Sequence, residues 1–161
     1  MITYTYKDLE KLPKRKENSH KGTYGKVLVI AGSPTISGAA YFAAAAVYHM
    51  GSGLVKIYTS QENLFAMQTL LPEALIEVYD RSRPALKQLK QCMDWADAIV
   101  IGPGLGTDRN ADKILKYVIS KSEVPIVIDA DGINLLAESK TCLLEHTAPI
   151  VLTPHIQERT R

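Results

Sequence analysis

The sequence predicts an α/β fold with a mostly parallel sheet that is covered by helices on both faces. The first observation is that short apolar segments alternate along the chain with segments of helical periodicity. The second is that three apolar segments run into polar or glycine-rich residues, at 98–106 (AIVIGPGLG), 125–132 (PIVIDADG) and 149–155 (PIVLTPH). Because the carboxyl ends of parallel strands share one edge of a sheet, these residues are expected to line one ligand-binding crevice.

The first predicted elements each have a local justification. Residues 26–32 (KVLVIAG) are continuously apolar, as in a fully buried strand. After a turn-rich loop, Ser37 is a suitable N-cap, and the alanines that follow it predict a helix that packs closely on the sheet. Residues 51–53 (GSG) end this helix, and residues 54–58 form the next strand.

The remaining elements continue the alternation. The pattern predicts, in chain order, a helix at 61–71, a strand at 74–79, a helix at 84–95, a strand at 98–101, a helix from Thr107 or Asp108 to about residue 120, a strand at 125–129, a short helix at 133–137 and a strand at 150–153. No linker or repeat divides the chain. Residues 26–161 are therefore predicted to belong to one domain, behind a basic leader and loop at residues 1–25.

The composition restricts the compartment and the class of partner. A chain of 161 residues with 46% hydrophobic residues is long enough for one domain with its own core. The net charge of +2 argues against nucleic acid as a partner. No secretory leader or membrane-spanning segment is visible. Cys92 and Cys142 have neither metal-ligand nor redox spacing, which indicates free thiols in the cytoplasm.

The positive charge is concentrated near the start of the chain. Seven basic residues lie between Lys7 and Lys26, against three acidic ones. A solvated leader is the simpler interpretation of such a run. The alternative is a basic rim that attracts a phosphorylated ligand.

The glycine-rich turn at residues 102–106 is the first candidate for ligand binding. Backbone N–H groups in such a turn, followed by a helix N-terminus, can hold a phosphate or an anionic dinucleotide, although a tight turn without a ligand fits equally well. With Asp129 as a ribose-binding acid, a Rossmann oxidoreductase remains a rival. The loop at 32–38 lacks the lysine of a P-loop, so an NTPase of that class is not expected.

Two aspartates and one histidine extend the candidate set. Asp129 follows three apolar residues and is costly to bury unless it serves a bound sugar or a metal. Capping of a helix that begins near Ile133 accounts equally well for Asp131. His155 follows Thr-Pro at a strand end and is expected to face the crevice. No catalytic triad, glutamate pair or zinc-binding motif is visible.

The other three histidines are weaker candidates. His20 is compatible with a binding role or with a simple loop role. His49 is expected to pack within the alanine-rich helix, and His146 is expected to be exposed.

Six segments together resemble the C-terminal catalytic domain of the YjeF family, the ADP- or ATP-dependent NAD(P)H-hydrate dehydratases. They are residues 20–33 (HKGTYGKVLVIAGS), 37–40 (SGAA), 51–55 (GSGLV), 101–106 (IGPGLG), 128–132 (IDADG) and 152–155 (LTPH), in the family's order and spacing. The resemblance implies a ribokinase-like three-layer sandwich. It also implies a cytoplasmic, homo-oligomeric repair lyase that dehydrates NADHX or NADPHX, with ADP or ATP as phosphate donor and Mg²⁺ beside it.

The resemblance further implies a set of site residues. The hydrated dinucleotide would contact the loops and helix start that contain Gly32, Ser33, Ala39, Ala40, Gly104, Gly106 and His155. Asp129 and Asp131 would shape the floor of the site. The family's Gly-Thr-Gly-Asp motif, which would supply an anion hole and the catalytic base, does not occur among the 161 residues. We therefore expect only the N-terminal portion of the catalytic domain, with no catalytic residue, little activity of its own and uncovered apolar sheet surface.

Two alternative functions remain open. One is a small-molecule kinase of the same fold, acting on a hydroxymethyl-pyrimidine, a thiazole or a sugar. The other is a fragment that binds a dinucleotide without turnover. Because both enzyme classes would use the aspartate of the absent motif, the residues present separate them only through the His20 segment and Thr-Pro-His.

Overall fold

Six parallel strands form one sheet in the order β3-β2-β1-β4-β5-β6. The computed structural model describes residues 14–83, 85–139, 143 and 148–155. The strands are β1 (Lys26–Ile30), β2 (Leu54–Ser60), β3 (Leu75–Tyr79), β4 (Ala98–Ile101), β5 (Ile126–Ile128) and β6 (Ile150–Leu152). The prediction of an α/β fold with a parallel sheet is confirmed.

Within the described residues, five α-helices connect or flank these strands. They are α1 (Gly38–His49), α2 (Leu64–Leu70), α3 (Leu86–Trp95), α4 (Arg109–Lys121) and α5 (Asp131–Glu138), with short 3-10 turns at Lys21–Tyr24 and Gln61–Asn63. None of the described helices is both long and apolar enough to cross a membrane. The leader up to residue 13, Cys142, His146 and residues 156–161 lie outside the described residues.

The boundaries differ from the predicted ones where local turns intervene. The helix predicted at 61–71 is a 3-10 turn followed by α2, and the helix predicted from 84 begins at Leu86. β2 continues to Ser60, two residues beyond the predicted end. The helix predicted from 133 begins at Asp131, because a tight turn at Ala130 starts it earlier.

The helices form two layers on opposite faces of the sheet. α3, α4 and α5 pack against strand residues such as Leu28, Ile99 and Ile126. α1 and α2 pack against Val29 and Ile57 on the other face. Continuous apolar strands that are buried on both faces are what a parallel sheet requires.

One part of the α1 face is open. Strand alternation places Val100, Val127 and Val151 on this face. α1 and α2 pack mainly over β1, β2 and β3. Val127 is only half-buried and Val151 is 54% exposed, so the described part of the chain leaves the sheet uncovered over β5 and β6.

The strand order creates a topological switch at the centre of the sheet. β2 and β3 lie on one side of β1, whereas β4, β5 and β6 lie on the other. The loops after β1 and β4 therefore leave the sheet in different directions. In open α/β sheets, ligands bind at such a switch, outside the carboxyl ends of the strands.

Candidate functional site

Four loops meet at the carboxyl edge of the sheet, after β1, β4, β5 and β6. The Gly32 N–H donates to the Pro103 carbonyl at 2.9 Å, which joins the first loop to the second. A Cβ at Gly102 would lie 2.0 Å from the Asp129 carbonyl oxygen, so the second loop touches the third. Thr153 Oγ1 donates to Asp129 Oδ1 at 2.7 Å, which joins the third to the fourth. The predicted convergence of these strand ends is therefore present in the structure.

Close packing explains why glycine is needed at residue 104. Its φ is +62°, in the left-handed region, and a Cβ there would lie 2.7 Å from Ile36 Cγ2 and 2.9 Å from Ala39 Cβ. The first turn of α1 thus lies directly against the glycine-rich turn. This contact brings the start of α1 and the glycine-rich turn together at the switch between β1 and β4.

Three N–H groups of the glycine-rich turn have partners within the protein. Those of Gly102 and Leu105 donate to the Ile30 and Gly102 carbonyls at 3.1 and 2.9 Å. The Gly106 N–H donates to Asp131 Oδ2 at 2.8 Å. A side-chain carboxylate therefore stands where an external anion would bind at Gly106. Among the described residues, Gly104 N–H has no acceptor and remains available to a ligand.

The start of α1 supplies further free donors beside Gly104. Ser37 occupies the N-cap position but has helical backbone angles, and its side chain makes no capping hydrogen bond. The N–H groups of Gly38 and Ala39 in the first turn have no intrahelical acceptor by the geometry of a helix. Ala40 is completely buried, so its side chain packs in the core and only its backbone lies near the helix start. The predicted N-cap is thus in place without its capping bond.

A strained turn fixes the two aspartates after β5. Ala130 has φ 51° and ψ −119°, and the Gly132 N–H donates to the Asp129 carbonyl at 2.9 Å. These angles are those of the first central residue of a type II′ turn. Of the two roles left open for Asp131, the capping of a helix that begins near Ile133 does not occur. The helix begins at Asp131 itself, and the Asp131 carboxylate instead accepts the Gly106 N–H.

His155 and His20 lie at opposite edges of the sheet. His155 is exposed and follows β6 at the carboxyl edge. His20 precedes β1 at the amino edge, where its Nδ1 accepts the Gly22 N–H at 3.1 Å and caps a 3-10 turn. This contact accounts for the loop role of His20. His49 is exposed in the last turn of α1, so the prediction that it packs inside the helix layer is wrong.

A cavity of about 1060 Å³ lies beside this edge and runs along the open sheet face. Pro103, Asp129 and Thr153 line its carboxyl end. Lys14, Arg15, Lys16 and Lys26 line its amino end. Asp129 is the one predicted site residue that lines it, and the predicted basic rim lies at the far end from the glycine-rich turn.

Arg81 is a residue of this edge that the sequence interpretation missed. Its Nε and Nη2 lie 2.7 and 2.6 Å from Asp108 Oδ2, and its Nη1 donates to the Leu105 carbonyl at 3.1 Å. Asp108 caps α4 through the N–H groups of Asn110 and Ala111, both at 2.9 Å. Partial burial acts to raise the pKa of Asp108, but the Ala111 N–H and the Arg81 guanidinium outweigh it and lower this pKa.

Asn63 is a second missed residue. It is buried, and its Nδ2 donates to the Ser33 carbonyl at 3.2 Å and to Thr59 Oγ1 at 2.9 Å. Arg81 and Asn63 both follow strand ends, β3 and β2. The glycine-rich turn was selected because residues that follow the strand ends of a parallel sheet line one crevice. The same rule, applied to β2 and β3, could have found Asn63 and Arg81.

The described residues contain no group of three or more His, Cys, Asp or Glu side chains arranged to hold a metal ion.

The family model and the curated relatives agree on one family. A family model described as NAD(P)H-hydrate dehydratase matches residues 27–161. An ADP-dependent (S)-NAD(P)H-hydrate dehydratase of Listeria monocytogenes is 37% identical over 93% of this chain and 53% of the relative. A bifunctional NAD(P)H-hydrate repair enzyme of Moorella thermoacetica is also 37% identical, over 93% of this chain and 29% of the relative.

This chain is also similar to solved structures. A ribokinase-like superfamily protein of Enterococcus faecalis has a TM-score of 0.86 and 29% identity, covering 96% of this chain and 54% of its own. An ADP/ATP-dependent NAD(P)H-hydrate dehydratase of Bacillus subtilis, co-crystallized with ATP/Mg²⁺, has a TM-score of 0.70 and 30% identity, covering 93% and 51%. The ribokinase-like fold is confirmed. The chain spans about half the length of the curated dehydratases it matches, 53% in the Listeria protein.

Proposed function

We propose, since this chain belongs to the NAD(P)H-hydrate dehydratase family, that it binds hydrated NADH or NADPH at the carboxyl edge of its sheet. The reaction we assign to the whole protein is the nucleotide-dependent removal of water from that dinucleotide. The family match favours this function over the kinase and the Rossmann oxidoreductase. Relatives are named ADP-dependent in Listeria monocytogenes and ATP-dependent in Entamoeba histolytica, so we propose ADP or ATP as the co-substrate.

The observation that carries the proposal is the uncapped N-terminus of α1 against Gly104. The N–H groups of Gly38, Ala39 and Gly104 are donors without a protein acceptor in the described residues. A helix N-terminus also carries a partial positive charge. These donors suit the pyrophosphate of a dinucleotide, because small residues let the phosphates approach the backbone closely.

The other predicted residues serve this site in different ways. Asp129 is oriented by Thr153 Oγ1 on one carboxylate oxygen, so we assign the other oxygen to a ribose hydroxyl of the substrate. His155 is exposed at the same edge and is proposed as a direct contact. Asp131 acts through Gly106, whose N–H it accepts, and thereby holds the glycine-rich turn in position.

Gly32, Ser33 and Ala40 are buried, and we assign them to the packing that supports the site. Ser33 N–H donates to the Ile36 carbonyl at 3.2 Å, and its own carbonyl accepts from Asn63. These bonds fix the loop that adjoins Gly104. We therefore assign binding and orientation to the described residues, and proton transfer to none of them.

We also propose the finer features that the family resemblance implies. Mg²⁺ would accompany the nucleotide, as the Bacillus subtilis structure was obtained with ATP/Mg²⁺. A cytoplasmic location agrees with Cys92, which is a buried free thiol. We also propose that the protein is a homo-oligomer, as the resemblance implies.

A charge placed at the start of α1 tests this site directly. A Cβ at Gly38 would meet only Phe42 Cε2, at 3.9 Å, so a side chain fits there without a clash. Gly38→Glu should leave the fold intact, because an acid at a helix N-terminus is favourable. The same carboxylate should repel the pyrophosphate and weaken binding about tenfold, which corresponds to about 1.4 kcal/mol.

The measurement is calorimetric titration of the chain with hydrated NADPH and with ATP. Gly38→Gln has the same shape without the charge and is the matched control. We expect wild type and Gly38→Gln to bind hydrated NADPH more tightly than ATP, and only Gly38→Glu to lose affinity. Equal affinities in the Glu and Gln variants, or tighter binding of ATP, would contradict the proposal.

A further inference from the structure

The glycine-rich turn at residues 102–106 needs restraint if it is to hold a ligand in one position. Gly104 and Gly106 both have positive φ, which glycine adopts at little cost, but glycine also gives an unrestrained turn many other conformations. Among the described residues, the Gly104 N–H has no acceptor. It can bind an anion well only if the turn already fixes its direction, because ordering a donor on binding costs affinity.

The peptide unit that joins Leu105 to Gly106 is held at both of its polar groups. Arg81 Nη1 donates to the Leu105 carbonyl at 3.1 Å. The Gly106 N–H donates to Asp131 Oδ2 at 2.8 Å. The C=O and N–H of a trans peptide unit point in opposite directions, so a guanidinium and a carboxylate hold this unit from two sides. The Leu105 side chain is completely buried and adds a further restraint.

Arg81 also lies directly against the backbone of Gly106. A Cβ at Gly106 would lie 2.5 Å from Arg81 Nη2, so any other residue there would take the space of the guanidinium. The Arg81 side chain is only 21% exposed, which is low for an arginine in a surface loop. The contact is therefore a packed one and differs from a loose ion pair on the surface.

The start of α4 holds Arg81 in turn. Arg81 Nε lies 2.7 Å from Asp108 Oδ2, while Asp108 Oδ1 accepts the Asn110 and Ala111 N–H groups. Asn110 Nδ2 donates to the Arg81 carbonyl at 2.8 Å. The planar guanidinium thus donates to Asp108 and to the Leu105 carbonyl at once, a fork that a lysine ammonium does not reproduce.

We propose that Arg81 is a positioning residue of the dinucleotide site, which contacts no substrate itself but fixes the turn around the Gly104 N–H. This inference rests on the proposed function, because it takes a phosphate of hydrated NADH or NADPH as the acceptor for that N–H. On the C-terminal side of Gly104, Arg81 and Asp131 hold the turn. On its N-terminal side, the Gly32 N–H donates to the Pro103 carbonyl at 2.9 Å. The donor is thereby oriented before a ligand arrives.

Calorimetric titration with hydrated NADPH tests this role in three variants. Arg81→Met removes the guanidinium and should weaken binding about tenfold, because a misdirected Gly104 N–H loses a hydrogen bond to a charged phosphate. Arg81→Lys keeps the charge without the fork and should also weaken binding. Arg83→Met removes the same charge from an exposed position of the same loop and should leave the affinity unchanged.

Hydrogen exchange of the backbone amides, measured without ligand, separates positioning from general stability. The Gly106 amide should exchange slowly in the wild type and in Arg83→Met, because it is bonded to Asp131. In Arg81→Met and Arg81→Lys it should exchange about tenfold faster, with the amides of β1 unchanged. The melting temperature should fall by a few degrees at most, because the Arg81–Asp108 pair is partly exposed and the Asn110 bond to the Arg81 carbonyl remains.

Three results would contradict the role of Arg81. One is wild-type affinity, or wild-type exchange at Gly106, in Arg81→Met or Arg81→Lys. Another is an equal loss of affinity in Arg81→Met and Arg83→Met, because only the charge would then matter. The third is a loss of affinity accompanied by a large fall in melting temperature and faster exchange throughout β1, which a purely structural role would produce. If the wild type does not bind hydrated NADPH, the proposed function fails, and exchange at Gly106 alone decides whether Arg81 holds the turn.

Discussion

Replacement of Ala130 by glycine should stabilise the protein, which is unusual for a change that removes a methyl group. Ala130 is the one non-glycine residue with positive φ among those that the structure describes. Its φ of 51° and ψ of −119° suit glycine at the first central position of a type II′ turn. The turn is kept in this form because Gly102 and Gly132 pack against each other beside it.

The expected gain follows from two opposing terms. Such strain costs about 1–3 kcal/mol in the folded state. Glycine loses more conformational entropy on folding, which offsets about 0.5–1 kcal/mol. The net gain is therefore about 1 kcal/mol, which raises the melting temperature by about 2–4 °C for a domain of this size.

Scanning calorimetry of the wild type and two variants provides the measurement. Ala46→Gly makes the same chemical change at an exposed position inside α1, where glycine should destabilise by about 1 kcal/mol. We expect the two variants to shift the melting temperature in opposite directions. If Ala130→Gly lowers it as much as Ala46→Gly does, the strain argument is refuted.

Two further predictions concern buried tyrosines. Tyr58 is fully buried, and its hydroxyl has no partner in the described part of the chain. In a urea titration, Tyr58→Phe should therefore be neutral or stabilise the protein by about 1 kcal/mol. The control variant Tyr24→Phe should destabilise it, because it removes a hydroxyl that bonds to Ser19 and to the Lys16 N–H. Burial raises the pKa of Tyr79 to about 12. Because the folded state favours the neutral phenol, its stabilising contribution is complete below pH ~10 and is lost as the pH rises towards 12. Tyr79→Phe should flatten that alkaline loss of melting temperature, and an unchanged slope would argue against it.

The sequence was sufficient to predict that three strand ends and their loops meet at one edge of the sheet, where we place the proposed site. Strand ends in a parallel sheet meet at one edge whatever their spacing in sequence, so the glycine-rich turn, Asp129 and Thr153 could be grouped by topology alone. Arg81 was missed because the strand-end rule was not applied to β3, and its contact with Asp108 across the sheet edge is encoded by no local pattern. The same applies to Asp131, whose acceptor role depends on the position of Gly106 in space.

The contacts between the loops at the switch between β1 and β4 could not be predicted from the sequence either. The need for glycine at residue 104 follows from the approach of Ile36 and Ala39, which are 65 or more positions away in the chain. A glycine cluster in sequence does not tell whether its free space is filled by a ligand or by the protein itself. In the part of the chain that the structure describes, the N–H groups of Gly102, Leu105 and Gly106 bond within the protein, and that of Gly104 has no acceptor.

α1 takes part in two features of the structure, since its first turn adjoins Gly104 and its side lines the cavity on the open sheet face. A helix of 12 residues that is fixed at one end is also restrained along its length. A ligand that moved α1 from the cavity side would therefore also change the position of the N–H groups at its first turn. Any factor by which one ligand changed the affinity for the other would act equally in both directions.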